Sequence, residues 1–459
     1  MKTEHKPNPA SKAAAVRDHI SAGGCEVFEP GTDGYAHTTQ IWNGAVAHKP
    51  ALIARCLTVA DVQSSLAAAQ AHGLPISVLG GGQDWVGRGL RHGGLVLDLS
   101  GMRQVSVNLE AKEATIAGGA RAADVSVAMS SSGLAAVTGN TGAVGMAGLL
   151  LGGGYGPLTT RFGLASDSLV GVELVLADGR VVKASESQNA DLFWALRGGG
   201  GNFGVVTSTT IRLHTVGVIM SGMILFPWTD AQSVLRGYAE IMSSAPDELA
   251  VAVAMSAASD GSPVIVLAPT WSGDPKQSEQ IVARLQSFGT PVLTKIAPMT
   301  FGAILRLFDP QLVAGRHYEV RTRWLHDLTP DVISTLMAAY NAKTSPFTRI
   351  VIHHFHGAGT RVAPDATAFG MRQEHFTALI YSTWESAVAG ESAVHRQWAS
   401  DLSLRLASFA LPGGYANLLG PDARDQISAA YGGNGRRLGE LKRKFDPDNV
   451  FSSALPLPA

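Results

Sequence analysis

Cysteine is nearly absent. Cys25 and Cys56 are the only two in 459 residues, which rules out a disulfide framework and leaves no C-x-x-C for metal or thiol-exchange chemistry. Cys56, inside the apolar run 51–56, reads as a small buried apolar residue. Charge is also sparse and balanced: 36 Lys and Arg stand against 37 Asp and Glu, a net charge of −1. No basic field exists to draw in nucleic acid or an anionic lipid surface. No apolar run reaches the roughly 18 residues of a membrane span. The polar stretch 1–15 lacks the apolar core of a secretion signal, so the cytoplasm is the expected location. Neither G-x-S-x-G nor a P-loop occurs, and hydrolase and NTPase readings lose support with them.

Glycine is what the chain has in excess, 52 residues against a usual ~7%. It clusters at 80–87, 139–156 and 198–204. Clustered glycine brings main chain close to something, or supplies positive φ. Three clusters in the first half point to one extended ligand laid against backbone. Around them, strand and helix signals alternate. Strands are expected at 52–56, 75–79, 95–99, 114–117, 169–176 and 205–213, with helices at 59–72, 122–132 and 190–196. Thr58 is placed to cap the first helix. After about residue 215, apolar strand-like runs (264–268, 348–354, 379–382) are separated by helical segments at 231–243, 277–287 and 329–341. The first region reads as α+β or α/β, and two domains are expected. The segment before about 215 reads as a nucleotide-binding region, 216–411 as an antiparallel sheet backed by helices, and 435–447 as a basic amphipathic helix stopped by Pro447.

Three motifs invite specific chemistry. Gly199-Gly200-Gly201-Asn202-Phe203-Gly204 matches G-x-G-x-x-G, but a helix precedes it and a strand follows, the reverse of a Rossmann loop. The loop Gly80-Gly81-Gly82-Gln83-Asp84 follows a strand and offers consecutive N–H groups, a nest for dinucleotide phosphates or a plain tight turn. His353-His354-Phe355-His356 places His354 and His356 on one strand face and His353 on the other. Two ligands without a third at telling spacing make a poor metal site, so no metal is expected. A half-buried strand with one polar face explains the pattern, and a substrate-facing strand is the preferred reading.

Together these stretches resemble the berberine-bridge-enzyme-like branch of the vanillyl-alcohol-oxidase (PCMH-type) flavoproteins. The resemblance runs from about Pro50 to Phe451. It takes in Ile53-Ala54-Arg55-Cys56-Leu57, Gly94-Leu95-Val96-Leu97-Asp98-Leu99, Gly133 to Gly139, Phe162-Gly163-Leu164-Ala165-Ser166-Asp167, Phe193-Trp194-Ala195-Leu196-Arg197-Gly198, Asp365 to Phe369, Tyr415-Ala416-Asn417 and Lys442 to Phe451. It implies an α+β, two-domain FAD-binding fold, with 40–215 as the FAD-binding domain, 216–411 as the substrate-binding domain and 412–459 returning to the FAD domain. FAD would be held by Leu79, Gly80, Gly81, Gly82, Gln83, Asp84 and Gly87. The second segment would add Thr138, Gly139, Thr141, Gly145, Gly148, Leu151, Gly152, Gly153, Tyr155 and Gly156. Asn202 and Val206 would lie toward the adenine, with Tyr415 and Asn417 closing from the C-terminal segment.

The departures from the family pattern matter as much. The branch usually bonds its flavin through a His in the first loop and a Cys in the second. Gln83 and Thr141 stand there and can do neither, which implies non-covalent FAD. Leu418 stands where alcohol and carbohydrate oxidases of the family place a Tyr base, and Met371 replaces the usual His before Arg372. Val144 keeps the small residue of oxygen-reactive members. The resemblance therefore implies an oxidase of a small organic molecule with O2 as acceptor. An amine is preferred, because an alcohol needs a base. An alcohol oxidase drawing its base from Tyr155, Tyr381, His354, His356 or His353 stays open, as does a redox-neutral cyclase, isomerase or binding protein.

Overall fold

The computed structural model describes residues 9–130, 132–385 and 389–457. Its first sheet has the order Glu26–Phe28, Leu52–Arg55, Leu95–Asp98, Ile76–Leu79. The last three strands run parallel, and parallel neighbours require a crossover. The helix Val59–Ala71 carries the chain from Leu52–Arg55 to Ile76–Leu79, the strands on either side of Leu95–Asp98. Thr58 Oγ1 accepts from the Asp61 N–H while the Asp61 carboxylate accepts from the Thr58 N–H, a capping box that starts the helix where the sequence places it. Leu95–Asp98 is buried along its whole length, as expected of a strand covered on both faces.

A second, antiparallel sheet is ordered Val105–Asn108, Glu113–Ala117, Val205–Arg212, Leu169–Val175, Val181–Ser185. The helices Met146–Leu151 and Ala190–Leu196 share its core. The third sheet has seven antiparallel strands: Leu293–Met299, Ile219–Pro227, Pro263–Trp271, Leu249–Ala257, Arg349–Phe355, His375–Trp384 and His317–Leu325. Helices Ala231–Met242, Pro330–Asn341 and Ala389–Leu406 cover one of its faces, with Tyr238, Leu336, Trp398 and Leu402 in the shared core.

The expected elements are present with shifted ends. The strand expected at 379–382 runs from His375 to Trp384, because ladders on both sides extend it. The helix expected to reach 132 ends at Ala128. Four strands of the third sheet (Ile219–Pro227, Leu249–Ala257, Leu293–Met299 and His317–Leu325) do not stand out in the sequence. The helix Gly435–Phe445 returns to the second sheet's core through Leu438 and Leu441. Lys442 Nζ donates to the Asn202 carbonyl, 2.8 Å, and Asp446 accepts from the Val450 and Phe451 N–H groups. No helix among the described residues is long and apolar enough to cross a membrane.

Candidate active site

A cavity of about 410 Å³ follows the glycine loops. Much of its wall is bare main chain, at Gly80, Gly81 and Gly82, at Gly139, Gly145 and Gly148, and at Gly200 and Gly201. Gly81 and Gly145 bring two loops together, since a Cβ on Gly81 would collide with the Gly145 nitrogen. Gly148 differs. It sits in the helix Met146–Leu151 on the cavity side, and a Cβ there would meet nothing within 4 Å.

Of the residues expected to hold the cofactor, Leu79, Gly80, Gly81, Gly82, Gln83, Asp84 and Gly87 line this cavity. So do Gly139, Thr141, Gly145, Gly148, Leu151, Tyr155, Val206, Tyr415 and Asn417. Five others, Thr138, Gly152, Gly153, Gly156 and Asn202, do not line it. The Thr138 hydroxyl donates to the Gly139 carbonyl, 3.0 Å, off the wall. Gly152 is glycine because a Cβ would strike the Asn417 amide, and Gly153 because it would stand 2.8 Å from the Phe369 ring at φ +112. Gly156 packs against the Thr138 carbonyl and borders the neighbouring cavity instead. The Asn202 amide donates to the Gly199 and Leu455 carbonyls, pinning the chain end rather than reaching the wall.

The C-terminal segment is locked onto the loops by side chains. Tyr415 Oη accepts from the Gly154 N–H at 3.1 Å, and Asn417 Nδ2 donates to the Gly148 carbonyl at 3.0 Å. The Asp84 carboxylate pairs with Arg88 at 2.7 Å, while Arg88 also donates to the Leu419 carbonyl and Trp85 Nε1 donates to the Leu418 carbonyl. Phe451, Ser453, Ala454 and Leu455 complete the wall. A dinucleotide suits this groove: the bare backbone has positive φ at Gly82, Gly87 and Gly200, and open space lies over Gly148. Gln83 and Thr141 both face it, and His353 is the sole imidazole on its wall among the described residues. Cys25 and Cys56 lie in the core of the first sheet, Cys56 fully buried.

A second cavity of about 330 Å³ shares Asn140, Thr141, Tyr155, His353, Leu379 and Tyr381 with the first. Its floor is the face of the seven-stranded sheet opposite the helices. Strand Leu249–Ala257 alternates: Leu249, Val251, Val253 and Met255 enter the helix-side core, while Ala250, Ala252 and Ala254 face the cavity. Small side chains there leave the space open.

The same alternation decides the histidines. Ile350 and Ile352 belong to the helix-side core, and His354 follows them there. It stacks on Phe376 at 4.2 Å, with Nε2 3.1 Å from Glu374 Oε1. His356 donates from Nε2 to the Leu249 carbonyl at 3.1 Å. The two do share a face, with ring centres 4.9 Å apart; it is the helix-side face, and His354 also touches the second cavity's border. His353 is the one on both walls. Burial pushes His353 down to about 4 and His354 to about 3.

Tyr155 stands between the two cavities, edge-on to Tyr415 and Phe355, and burial raises its hydroxyl well above the ordinary phenol value. His375, which the sequence does not single out, lies beside it. Its Nδ1 is 2.7 Å from the Gln373 carbonyl and must carry the hydrogen. Burial pushes the ring down to about 4, so the neutral ring presents a bare Nε2 to the Tyr155 hydroxyl at 3.5 Å. Tyr381 lies opposite Arg349 on the neighbouring strand, 4.8 Å beneath its guanidinium, and burial raises it too.

Comparison with known proteins agrees with this geometry. Residues 50–185 match the FAD binding domain family, and residues 414–458 match the berberine and berberine-like family. The chain is 29% identical to an FAD-linked oxidoreductase of Dictyostelium discoideum over 93% of each chain. It is 36% identical to (R)-6-hydroxynicotine oxidase of Paenarthrobacter nicotinovorans over 61% of this chain and 62% of the relative. The crystal structure of 6-hydroxy-D-nicotine oxidase from Arthrobacter nicotinovorans matches with a TM-score of 0.86 at 27% identity, covering 95% of this chain and 98% of that one. By these matches and by its fold, the chain belongs to the berberine-bridge-enzyme-like FAD-linked oxidoreductases of the vanillyl-alcohol-oxidase type.

Proposed function

We propose that this enzyme oxidises a small organic amine, with FAD held non-covalently and O2 reduced to hydrogen peroxide. In this reading residues 40–215 and 412–459 hold the cofactor and residues 216–411 build the substrate wall. FAD, when bound, supplies the two-electron acceptor for the hydride of a substrate C–H bond. Gln83 and Thr141 support the non-covalent arrangement, because neither carries a nucleophile able to bond the cofactor.

The observation that carries the amine reading is the wall itself. Leu418 borders the cavity where the oxidation of a hydroxyl would call for a proton acceptor. Tyr155 and Tyr381 are held as neutral phenols, and His353 is too weakly basic to keep a proton near neutrality. An amine with a free lone pair needs none of them: as its C–H bond breaks, the lone pair becomes the C=N bond. One observation favours the alcohol alternative, the bare His375 Nε2 facing Tyr155, through which Tyr155 could pass on a proton taken from substrate.

Anaerobic rapid mixing with a panel of amines and alcohols tests the proposal, with acid precipitation to test attachment. The yellow cofactor should enter the acid supernatant. Amines should bleach the flavin absorbance, faster as pH rises until the substrate amine has lost its proton. Tyr155→Phe and His375→Asn should change that rate by less than about tenfold, whereas loss of a general base costs about 10²–10⁴-fold. A collapse of that size, or bleaching by alcohols alone, refutes the amine reading. Bleaching by neither class refutes oxidation in favour of a redox-neutral use.

A further inference from the structure

Arg349 opens the strand Arg349–Phe355 on the cavity side and is only 6% exposed. Nη1 donates to the Gln311 carbonyl at 2.8 Å. Nε and Nη2 are buried with no hydrogen-bond partner. The titratable groups that face it are Tyr381, Tyr318 and Arg316, none of them acidic. Arg316 is already paired with Glu385 at 2.8 Å, and the Tyr318 hydroxyl donates to the Val313 carbonyl at 2.6 Å. A buried guanidinium with two idle donors is costly unless something with negative charge meets it. Its planar fork fits an oxyanion through two parallel bonds.

We propose that Arg349 recognises an oxyanion on the substrate, a carboxylate or a phenolate, at one end of the second cavity. The rest of that cavity describes the remainder of the molecule. Ala250, Ala252, Ala254 and Ala268 line it with methyl groups beside Val266 and Val351, so the body that fills it is apolar and of appreciable bulk. The substrate class is an apolar amine carrying one acidic group. The inference rests on the amine-oxidase reading for the reaction of the bound molecule, and on Arg349 alone for its binding.

Calorimetric titration of the holoenzyme with benzoate, 4-nitrophenolate and benzamide tests it without turnover. At least one anion should bind ten or more times tighter than benzamide, and the tighter of the two assigns carboxylate or phenolate. Arg349→Gln should weaken that anion by at least tenfold while leaving benzamide unchanged, and Arg349→Lys should restore part of the preference. The FAD content of each variant reports whether it has folded. Should Arg349→Gln fail to fold, the Lys variant decides: a preference that falls but persists supports the assignment, and one left unchanged overturns it. Equal binding of anions and benzamide by the natural enzyme, or an anion preference surviving in Arg349→Gln, overturns it as well. Anion preference without flavin bleaching by any amine would sink the amine reading and leave Arg349's role standing.

Discussion

Gly148 and Gly153 are five residues apart in one glycine segment, yet the structure predicts opposite failures for them. Gly148 is helical, faces the glycine-walled cavity, and has open space where a Cβ would stand. Gly148→Phe therefore breaks no backbone rule. Replacing glycine within a helix with a better helix former removes a penalty of up to about 1 kcal/mol. The ring has to enter the groove, however. If it displaces only two hydrogen bonds to a charged ligand group, at about 1.5–3 kcal/mol each, FAD affinity falls by at least two orders of magnitude. Gly153 is off the wall, at φ +112, with a Cβ 2.8 Å from the Phe369 ring. Gly153→Ala combines a conformation that side chains avoid with a collision in the aromatic cluster, a loss on the order of 1–3 kcal/mol of stability.

Absorbance after gel filtration reports FAD content, and thermal melting with and without added FAD reports stability. Gly148→Phe should emerge colourless, melt with the stripped natural enzyme, and gain nothing from added FAD. Gly153→Ala should remain yellow and melt lower. A yellow Gly148→Phe protein with full FAD content would refute the cradle. A colourless Gly153→Ala protein of unchanged apo stability would refute the separation between the two sites.

Two further outcomes follow from buried charge. His353 and His375 are pushed down to about 4, and His354 to about 3, by burial. The folded state stays neutral while the unfolded chain takes up protons, so stability is fully present above about pH 6.5 and falls as pH drops toward 4, by at most about 3 kcal/mol per ring. Urea midpoints at pH 7 and pH 5 should show the loss, and His353→Gln should shrink it; an identical pH difference in that variant counts against the assignment. Arg372 is buried in a two-bond ion pair with Asp167, 2.8 Å on each arm. Asp167→Asn strands the guanidinium and should cost about 3–5 kcal/mol, and a loss under about 1 kcal/mol by urea unfolding would refute that picture.

The glycine loops were legible in the sequence because main chain touching a ligand and main chain touching itself both forbid a Cβ. For the same reason sequence could not sort them. Gly145 and Gly148 face the groove while Gly152, Gly153 and Gly156 fill packing contacts, and in the string they look alike. The capped helix after Thr58 was legible because its signal is local. The alternation Leu249-Ala-Val-Ala-Val-Ala-Met is a strand signal softened by alanine, and the alanines are the cavity floor, so what hid the strand is what keeps the second cavity open.

The histidine cluster shows the limit most sharply. A period of two assigns His354 and His356 to one face and His353 to the other, and the structure keeps that parity. Parity does not say which face the helices cover. That depends on Tyr238, Leu336 and Trp398, which pack from segments up to about a hundred residues away and bury the side bearing Ile350 and Ile352. Once that side is taken, Arg349, Val351 and His353 fall to the cavity together. Arg349 carries no local signal of burial, since an arginine at a strand end ordinarily reaches water. Its burial follows from Gln311 and Tyr381 closing over it, contacts no local pattern encodes. The Tyr155–His375 pair, 220 residues apart in sequence, is hidden in the same way. The glycine-walled cavity is written in local glycine geometry and could be read from the chain, whereas the second cavity arises from which layer covers which face.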